Sequence, residues 1–190
     1  VACFGIMPDY SVCITPAFKR DGNRVLLLGP RRKELGGSAL YRWAGVEGGT
    51  PPRVDFARTR AEIATVVEGI RAGHIAAAHD ISEGGLAVAL AEMAFAGELG
   101  CSLDLGMEPD GLSPQEFLFS ETGGFILEAP DGELDALRAL AARHGAGLRE
   151  LGAVTRSEDL VVATLGVEVL NLDTRKLAQA WRTGLEEVWR

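Results

Sequence analysis

Cysteine is scarce in this chain of 190 residues. Only Cys3, Cys13 and Cys101 occur, an odd number with no CxxC pair. That excludes an evident disulfide framework and a zinc site built on paired thiolates. Such thiols are expected to act as small buried hydrophobes in a reducing compartment. No apolar run approaches the ~18 to 20 residues of a membrane-spanning helix. No basic stripe of the kind that nucleic-acid binding needs is present either, and the formal net charge is -8. An acidic surface repels phosphates at long range, so any phosphate site must rely on local donors or a metal. Repeats, low-complexity tracts and internal linkers are missing. So is a Walker-type loop, GxxxxGK followed by Ser or Thr. The chain opens Val-Ala-Cys-Phe-Gly, with neither an initiator Met nor the charged flank of a signal peptide. The expectation is a cytoplasmic domain excised from something longer, with no membrane or nucleic-acid partner.

What remains is ordinary globular material. Hydrophobic residues make up 47% and charged residues 24%. The length suits one well-cored domain and is short for two. Tyr10 to Phe18 is rich in strand formers, and Asp21-Gly22 ahead of Arg24 to Leu28 is a hairpin signal. A short helix is expected after Ser38 and a longer one from Asp55. In the latter, Phe56, Ile63, Val66, Val67 and Ile70 keep a helical period, with Gly73 as a stop. Ile75 to Ala78 reads as a brief buried strand. Leu86 to Ala96 reads as a helix apolar on most faces, hence deeply buried. Cys101 to Leu105, Phe125 to Ala129, Leu151 to Thr155, Leu160 to Thr164 and Val167 to Leu172 read as strands. Ser113-Pro114-Gln115-Glu116 is a capping box with Pro at the first helical position. Leu134 to His144 is an amphipathic helix stopped by Gly145. Asp173 can cap a last helix carrying Leu177, Trp181 and Leu185. The alternation predicts one α/β (α+β) domain over residues 1–190, a layered sandwich of a mixed sheet with helices.

Three stretches can carry chemistry. In His79-Asp80-Ile81-Ser82-Glu83-Gly84-Gly85 a carboxylate ends a buried strand, two glycines turn the chain, and a helix begins. Ligands of open α/β sheets bind outside such strand ends. A helix N-terminus offers N–H donors to a phosphate, and the hard oxygens of Asp80 and Glu83 suit Mg²⁺. A capped helix after a glycine turn reads equally well. In Arg31-Arg32-Lys33-Glu34-Leu35-Gly36-Gly37-Ser38 the glycines bring backbone N–H groups close to an anion, and three cations stand near; a solvated turn is the plainer reading. In Leu118-Phe119-Ser120-Glu121-Thr122-Gly123-Gly124 two polar residues follow an apolar pair and can face a cleft or simply turn. His74 and His144 fall at predicted helix ends and receive no catalytic role. Trp43, Trp181 and Trp189 read as packing anchors or interface residues.

Together these segments carry a resemblance that none carries alone. Residues 78 to 97, AHDISEGGLAVALAEMAFAG, resemble the signature of the C-terminal AIR-synthase-like domain of the phosphoribosylformylglycinamidine synthase family. Leu-Gly-Gly-Ser at 35 to 38, Phe-Ser-Glu-Thr-Gly-Gly at 119 to 124 and Gly5-Ile6-Met7-Pro8-Asp9 are similar to family segments in the same order. The resemblance implies an ATP-dependent carbon–nitrogen ligase of purine synthesis, an amidoligase with glutamine as amide donor. ATP activates the amide oxygen of formylglycinamide ribonucleotide as an iminophosphate, and ammonia displaces the phosphate to leave an amidine. It implies Mg²⁺, a productive ATP site and a related structural site that can hold ADP. Implied partners are the remaining synthase domains, a glutaminase subunit or domain, and a small accessory subunit. By the same resemblance Asp80, and more weakly Glu83, would hold metal. Gly36, Gly37, Ser38, His79, Ser82, Gly84, Gly85, Ser120 and Glu121 would line the nucleotide and substrate cleft. Glu83 departs from the family, where Asp is commoner. No residue here is expected to be catalytic by itself, and the isolated chain is expected to be inactive. Rival readings are another ATP enzyme of the superfamily (AIR synthase, selenophosphate synthetase, thiamine-phosphate kinase, the hydrogenase-maturation dehydratase) or a non-catalytic nucleotide-binding scaffold that docks the glutaminase.

Overall fold

The structure, a computed structural model, describes residues 2, 4–7, 9–106 and 111–188, the side chains of 185–188 excepted. Its strands are β1 (Arg24–Leu28), β2 (Ala77–Asp80), β3 (Gly100–Asp104), β4 (Phe125–Ala129), β5 (Leu148–Thr155), β6 (Asp159–Thr164) and β7 (Val167–Asp173). Its helices are α1 (Ala39–Ala44), α2 (Phe56–Arg71), α3 (Gly85–Gly97), α4 (Pro114–Phe119), α5 (Leu134–His144) and α6 (Thr174–Val188). The strands form one mixed sheet in the order β2-β4-β1-β5-β3-β6-β7. The β3–β6 pairing is parallel and the others are antiparallel.

The continuous apolar run of β1 explains its central place. Val25 and Leu27 enter one core, with α3 and α4, while Leu26 and Leu28 enter the other, with α2 and α5. A strand apolar on both sides needs both faces covered. Neighbouring β4 divides the same way, Ile126 to the first core and Leu127 and Ala129 to the second. The result is the layered α/β arrangement expected, with helices on both faces of the sheet.

Helix ends follow local signals. Ser113 and Glu116 form the reciprocal capping box, with Pro114 in the first turn. Asp55 caps α2 by accepting from Ala57 and Arg58 N–H. Asp173 accepts from Arg175 and Lys176 N–H at the start of α6. Gly145 closes α5 in the left-handed region.

Four expectations need correction. Tyr10 to Phe18 is not a strand: it holds one short 3-10 turn at Tyr10–Val12. Both edges of β1 are taken by β4 and β5, so no hairpin partner can add there. The 19–23 segment is instead tied to the fully buried Glu128 of β4, which accepts from Lys19 N–H (2.8 Å), Arg20 N–H (3.0 Å) and the Asn23 side chain (2.7 Å). The strand expected at 75–78 runs two residues later, because its ladder to β4 pairs Ala77 with Glu128 and Asp80 with Phe125. In α2 the apolar period faces the core only in part: Val66 is buried and Ile70 packs against the same cluster, but Phe56 is 82% exposed and Ile63 and Val67 are exposed, while Glu62, Thr65 and Gly69 are buried. That packing is intelligible locally. Thr65 Oγ1 bonds to Ala61 O, Glu62 pairs with Arg58 and lies over Gly29, and Gly69 abuts Ile75. Lastly, Cys101 is buried, its thiol pushed up to about 12 by burial, but Cys13 is exposed; Cys3 lies outside the described residues. Trp43 is also exposed, as is Trp181, which touches Phe95 on α3. Trp189 lies outside the described residues.

Candidate functional site

The three motif segments meet at one side-chain oxygen. Glu121 Oε1 accepts from Ala39 N–H at 2.7 Å, at the start of α1, and from Gly84 N–H at 2.9 Å, at the start of α3. A carboxylate at a helix start satisfies donors that have no partner within the helix. Here one carboxylate does so for two turns at once. The donors that a sequence reading reserves for a phosphate are thus partly engaged from within. Gly85 N–H is also engaged, donating to Ser82 O at 3.0 Å.

Buried charge keeps Glu121 in place. Arg31 is only 4% exposed. Its guanidinium donates to the backbone oxygens of Phe117, Ser120 and Thr122 and to Ser120 Oγ. Burial lowers its pKa to about 10, opposed by nearby Glu34, so it stays charged at neutral pH. Glu34 in turn accepts from Thr122 Oγ1 at 2.7 Å. The residues on either side of Glu121 are therefore fixed by the segment that leads into the glycine loop.

The glycines make close approach possible. A Cβ on Gly85 would lie 2.7 Å from Leu118 O and from Ser120 O, and the residue has φ +69. A Cβ on Gly36 would lie 2.6 Å from Gly49 O, and its N–H donates to Thr50 O at 2.9 Å. Ser38 is buried and caps α1, its hydroxyl accepting from Tyr41 N–H. Its role in the structure is that of a helix cap.

The remaining motif residues lie around this hub. Arg42 of α1 donates to Gly37 O at 2.9 Å and to Glu83 Oε1 at 3.0 Å, a second link between the two turns. Ser82 is exposed. His79 is held on both ring nitrogens, Nδ1 2.8 Å from Asp80 O and Nε2 3.1 Å from Glu92 Oε2. Asp80 is 65% exposed at its side chain and lines a groove of about 360 Å³ with His79, Ile14, Pro16, Val66 and Ile70. The structure therefore joins residues 36–39, 83–85 and 120–122 into one surface, and sets Asp80 at the entrance to the same turn, facing a neighbouring groove. A larger groove, about 800 Å³, runs between Gly5, Ile6, Met7 and Val67. It contains no residue of the three turns, so its size does not make it the site.

Among the described residues no group of three or more His, Cys, Asp or Glu side chains could hold a metal ion. Asp80 fits as one exposed hard-oxygen ligand, which is how Mg²⁺ is commonly held beside phosphates. Glu83 is engaged by Arg42. Sequence reasoning missed Arg31 and Glu34 as clamps, Arg42 as a link and Glu128 as an anchor. Glu128 alone left a signal: a carboxylate inside the apolar strand Phe-Ile-Leu-Glu-Ala demands buried partners.

A fold of this kind with these three turns defines a class. The family model "AIR synthase related protein, C-terminal domain" matches residues 20–164, and the chain belongs to that family. Among curated relatives, the phosphoribosylformylglycinamidine synthase subunit PurL of Methanothrix thermoacetophila is 38% identical over 192 aligned positions, covering 100% of this chain and 25% of the relative. The chain thus spans about a quarter of that relative's length. Among solved structures, T. maritima PurL complexed with FGAR superposes with a TM-score of 0.80 at 19% identity, covering 89% of this chain and 30% of that one. T. maritima PurL complexed with ATP gives 0.71 at 20% identity, covering 89% and 28%. These two likenesses establish the fold. No helix among the described residues is long and apolar enough to cross a membrane.

Proposed function

We propose that this chain is the C-terminal AIR-synthase-related domain, residues 1–190, of a longer phosphoribosylformylglycinamidine synthase working in the cytoplasm. The reaction joins glutamine-derived ammonia to formylglycinamide ribonucleotide at the expense of ATP. The observation that carries this reading is the junction at Glu121, which makes one surface of three turns separated in sequence, in a chain similar over its whole length to PurL subunits. The domain supplies one wall of a nucleotide site. Asp80 would hold Mg²⁺ together with phosphate oxygens, and the metal would neutralise phosphate charge there. Gly37, Ser82 and the Gly84–Gly85 turn would border the phosphates. Phosphoryl transfer needs triphosphate, metal and acceptor held together. This chain offers too few donors to do that alone, so other synthase domains complete the site and a glutaminase delivers the ammonia.

Calorimetry of Mg²⁺-dependent ATP or ADP binding tests the reading, on the full-length synthase with and without Asp80→Ala. Binding should weaken by about tenfold or more in the variant, one lost charge-assisted metal contact. Unchanged binding would leave the 79–85 turn structural and the domain a scaffold.

A further inference from the structure

We infer that Arg42 is the phosphate-contacting cation of this surface and that Glu83 is the anion on which it rests when the site is empty. This rests on the nucleotide reading above and names a residue for it.

The argument begins with charge. The chain is acidic overall, so an anion needs a local cation. Four cations belong to the segment around the glycine loop. Arg31 is buried and spent on backbone oxygens. Lys33 pairs at 2.7 Å with Glu116, whose carboxylate is also fixed by the capping box of α4. Arg32 lies 4.0 Å from the buried Glu34 and in the field of Asp55 and Glu62. Arg42 differs from all three. Its side chain is 59% exposed, and its one acidic partner among the described residues, Glu83, is 80% exposed.

The geometry makes exchange inexpensive. An exposed ion pair contributes little, so Glu83 is readily displaced. A nucleotide phosphate carries more charge than a carboxylate and accepts a strong charge-assisted hydrogen bond from a guanidinium. Arg42 need not leave the loop to do this. Nη1 keeps its bond to Gly37 O, and Nη2 trades Glu83 for a phosphate oxygen. Because Glu83 stands on the 80–85 turn and Arg42 on α1, the exchange takes place where the two turns meet.

Opposite signs for two neighbouring substitutions test this. ADP with Mg²⁺ is titrated into the full-length synthase by calorimetry, comparing wild type with Arg42→Ala, Arg42→Lys, Glu83→Ala and the Arg42→Ala/Glu83→Ala double variant. Arg42→Ala should weaken binding about tenfold, and Arg42→Lys should recover part of that. Glu83→Ala should tighten binding severalfold, and it should have no effect once Arg42 is gone. Melting temperatures should hold for all four, because the pair is exposed. If Glu83→Ala weakens binding as Arg42→Ala does, the pair is a structural link and the inference fails. If Arg42→Ala binds like wild type while Asp80→Ala loses binding, the inference alone fails. If neither substitution matters, the nucleotide reading falls with it.

Discussion

Arg31 and Arg42 sit on either side of the same glycine loop and do opposite work. Arg31 is buried and ends on backbone oxygens of the 117–122 segment. Arg42 is exposed and ends on one carbonyl and one exposed carboxylate. A formal charge of +1 is common to both, so sequence composition treats them alike. Burial and the identity of the acceptor separate them. Carbonyls cannot follow a departing cation into solvent, whereas an exposed carboxylate simply rehydrates. One arginine therefore builds the surface and the other is free to serve it.

The largest effect should come from breaking the buried member. Arg31→Met leaves the oxygens of Phe117, Ser120 and Thr122 without their shared donor. The expected loss is about 3–5 kcal/mol of folding stability, read as a fall in urea midpoint. Arg31→Lys should recover little, because a single ammonium cannot span a fork of acceptors. A stable Arg31→Met protein would show that the 117–122 segment holds itself, and the contrast with Arg42 would collapse.

Next is the turn that the clamp presents. Gly85→Ala places a methyl 2.7 Å from two carbonyl oxygens, at φ +69. Relief requires the 118–120 backbone or the start of α3 to move, at a cost of about 2–4 kcal/mol. Because Gly84 N–H and Ala39 N–H share Glu121, the move should also disturb α1. Amide hydrogen exchange at Ala39 is the readout. Faster exchange there is expected, and protection equal to wild type would mean that the two turns are not coupled.

The same contrast shows how far sequence reaches. Features decided within a few residues were legible: the capping box at Ser113, the helix start near Asp55, the Asp173 cap, the Gly145 stop, and the full-length strands at 24–28 and 125–129. The glycine motifs were legible as turns. The links between them were not. Ala39 and Glu121 lie 82 positions apart, and Gly84 and Glu121 lie 37 apart. No local pattern says which carboxylate will satisfy which helix start. The failed hairpin turn ahead of 24–28 has the same origin, since Glu128 binds the 19–23 segment from more than 100 positions away. In α2 the apolar period was real, but the core takes only Val66 and Ile70 from it and fills the rest of the contact with Glu62, Thr65 and Gly69. Periodicity reveals that a helix has two faces and leaves open which one a neighbour will cover.

The smallest effect belongs to Lys33, which stands between the two arginines in character: exposed itself, yet paired with a fixed partner. Its ammonium is the largest cause holding the Glu116 carboxyl below its usual value, followed by the backbone N–H of Ser113. A carboxyl lowered in the folded state stabilises the fold above its unfolded value of about 4.3 and loses that contribution as pH falls through the folded value. Lys33→Met should therefore move the Glu116 carboxyl upward, while the capping box still keeps it below the unfolded value. A side-chain carboxyl titration by NMR reads the shift directly. Melting temperature should fall only slightly near pH 7, and the gap to wild type should close in acid as pH falls through the lowered folded-state value, where Glu116 takes up its proton in both proteins. A gap that persists in acid would mean that Lys33 acts through packing of its aliphatic stem and not through its charge. A Glu116 carboxyl unmoved by the substitution would mean that the capping box alone sets its value, and that Lys33 is as loosely held as Arg42.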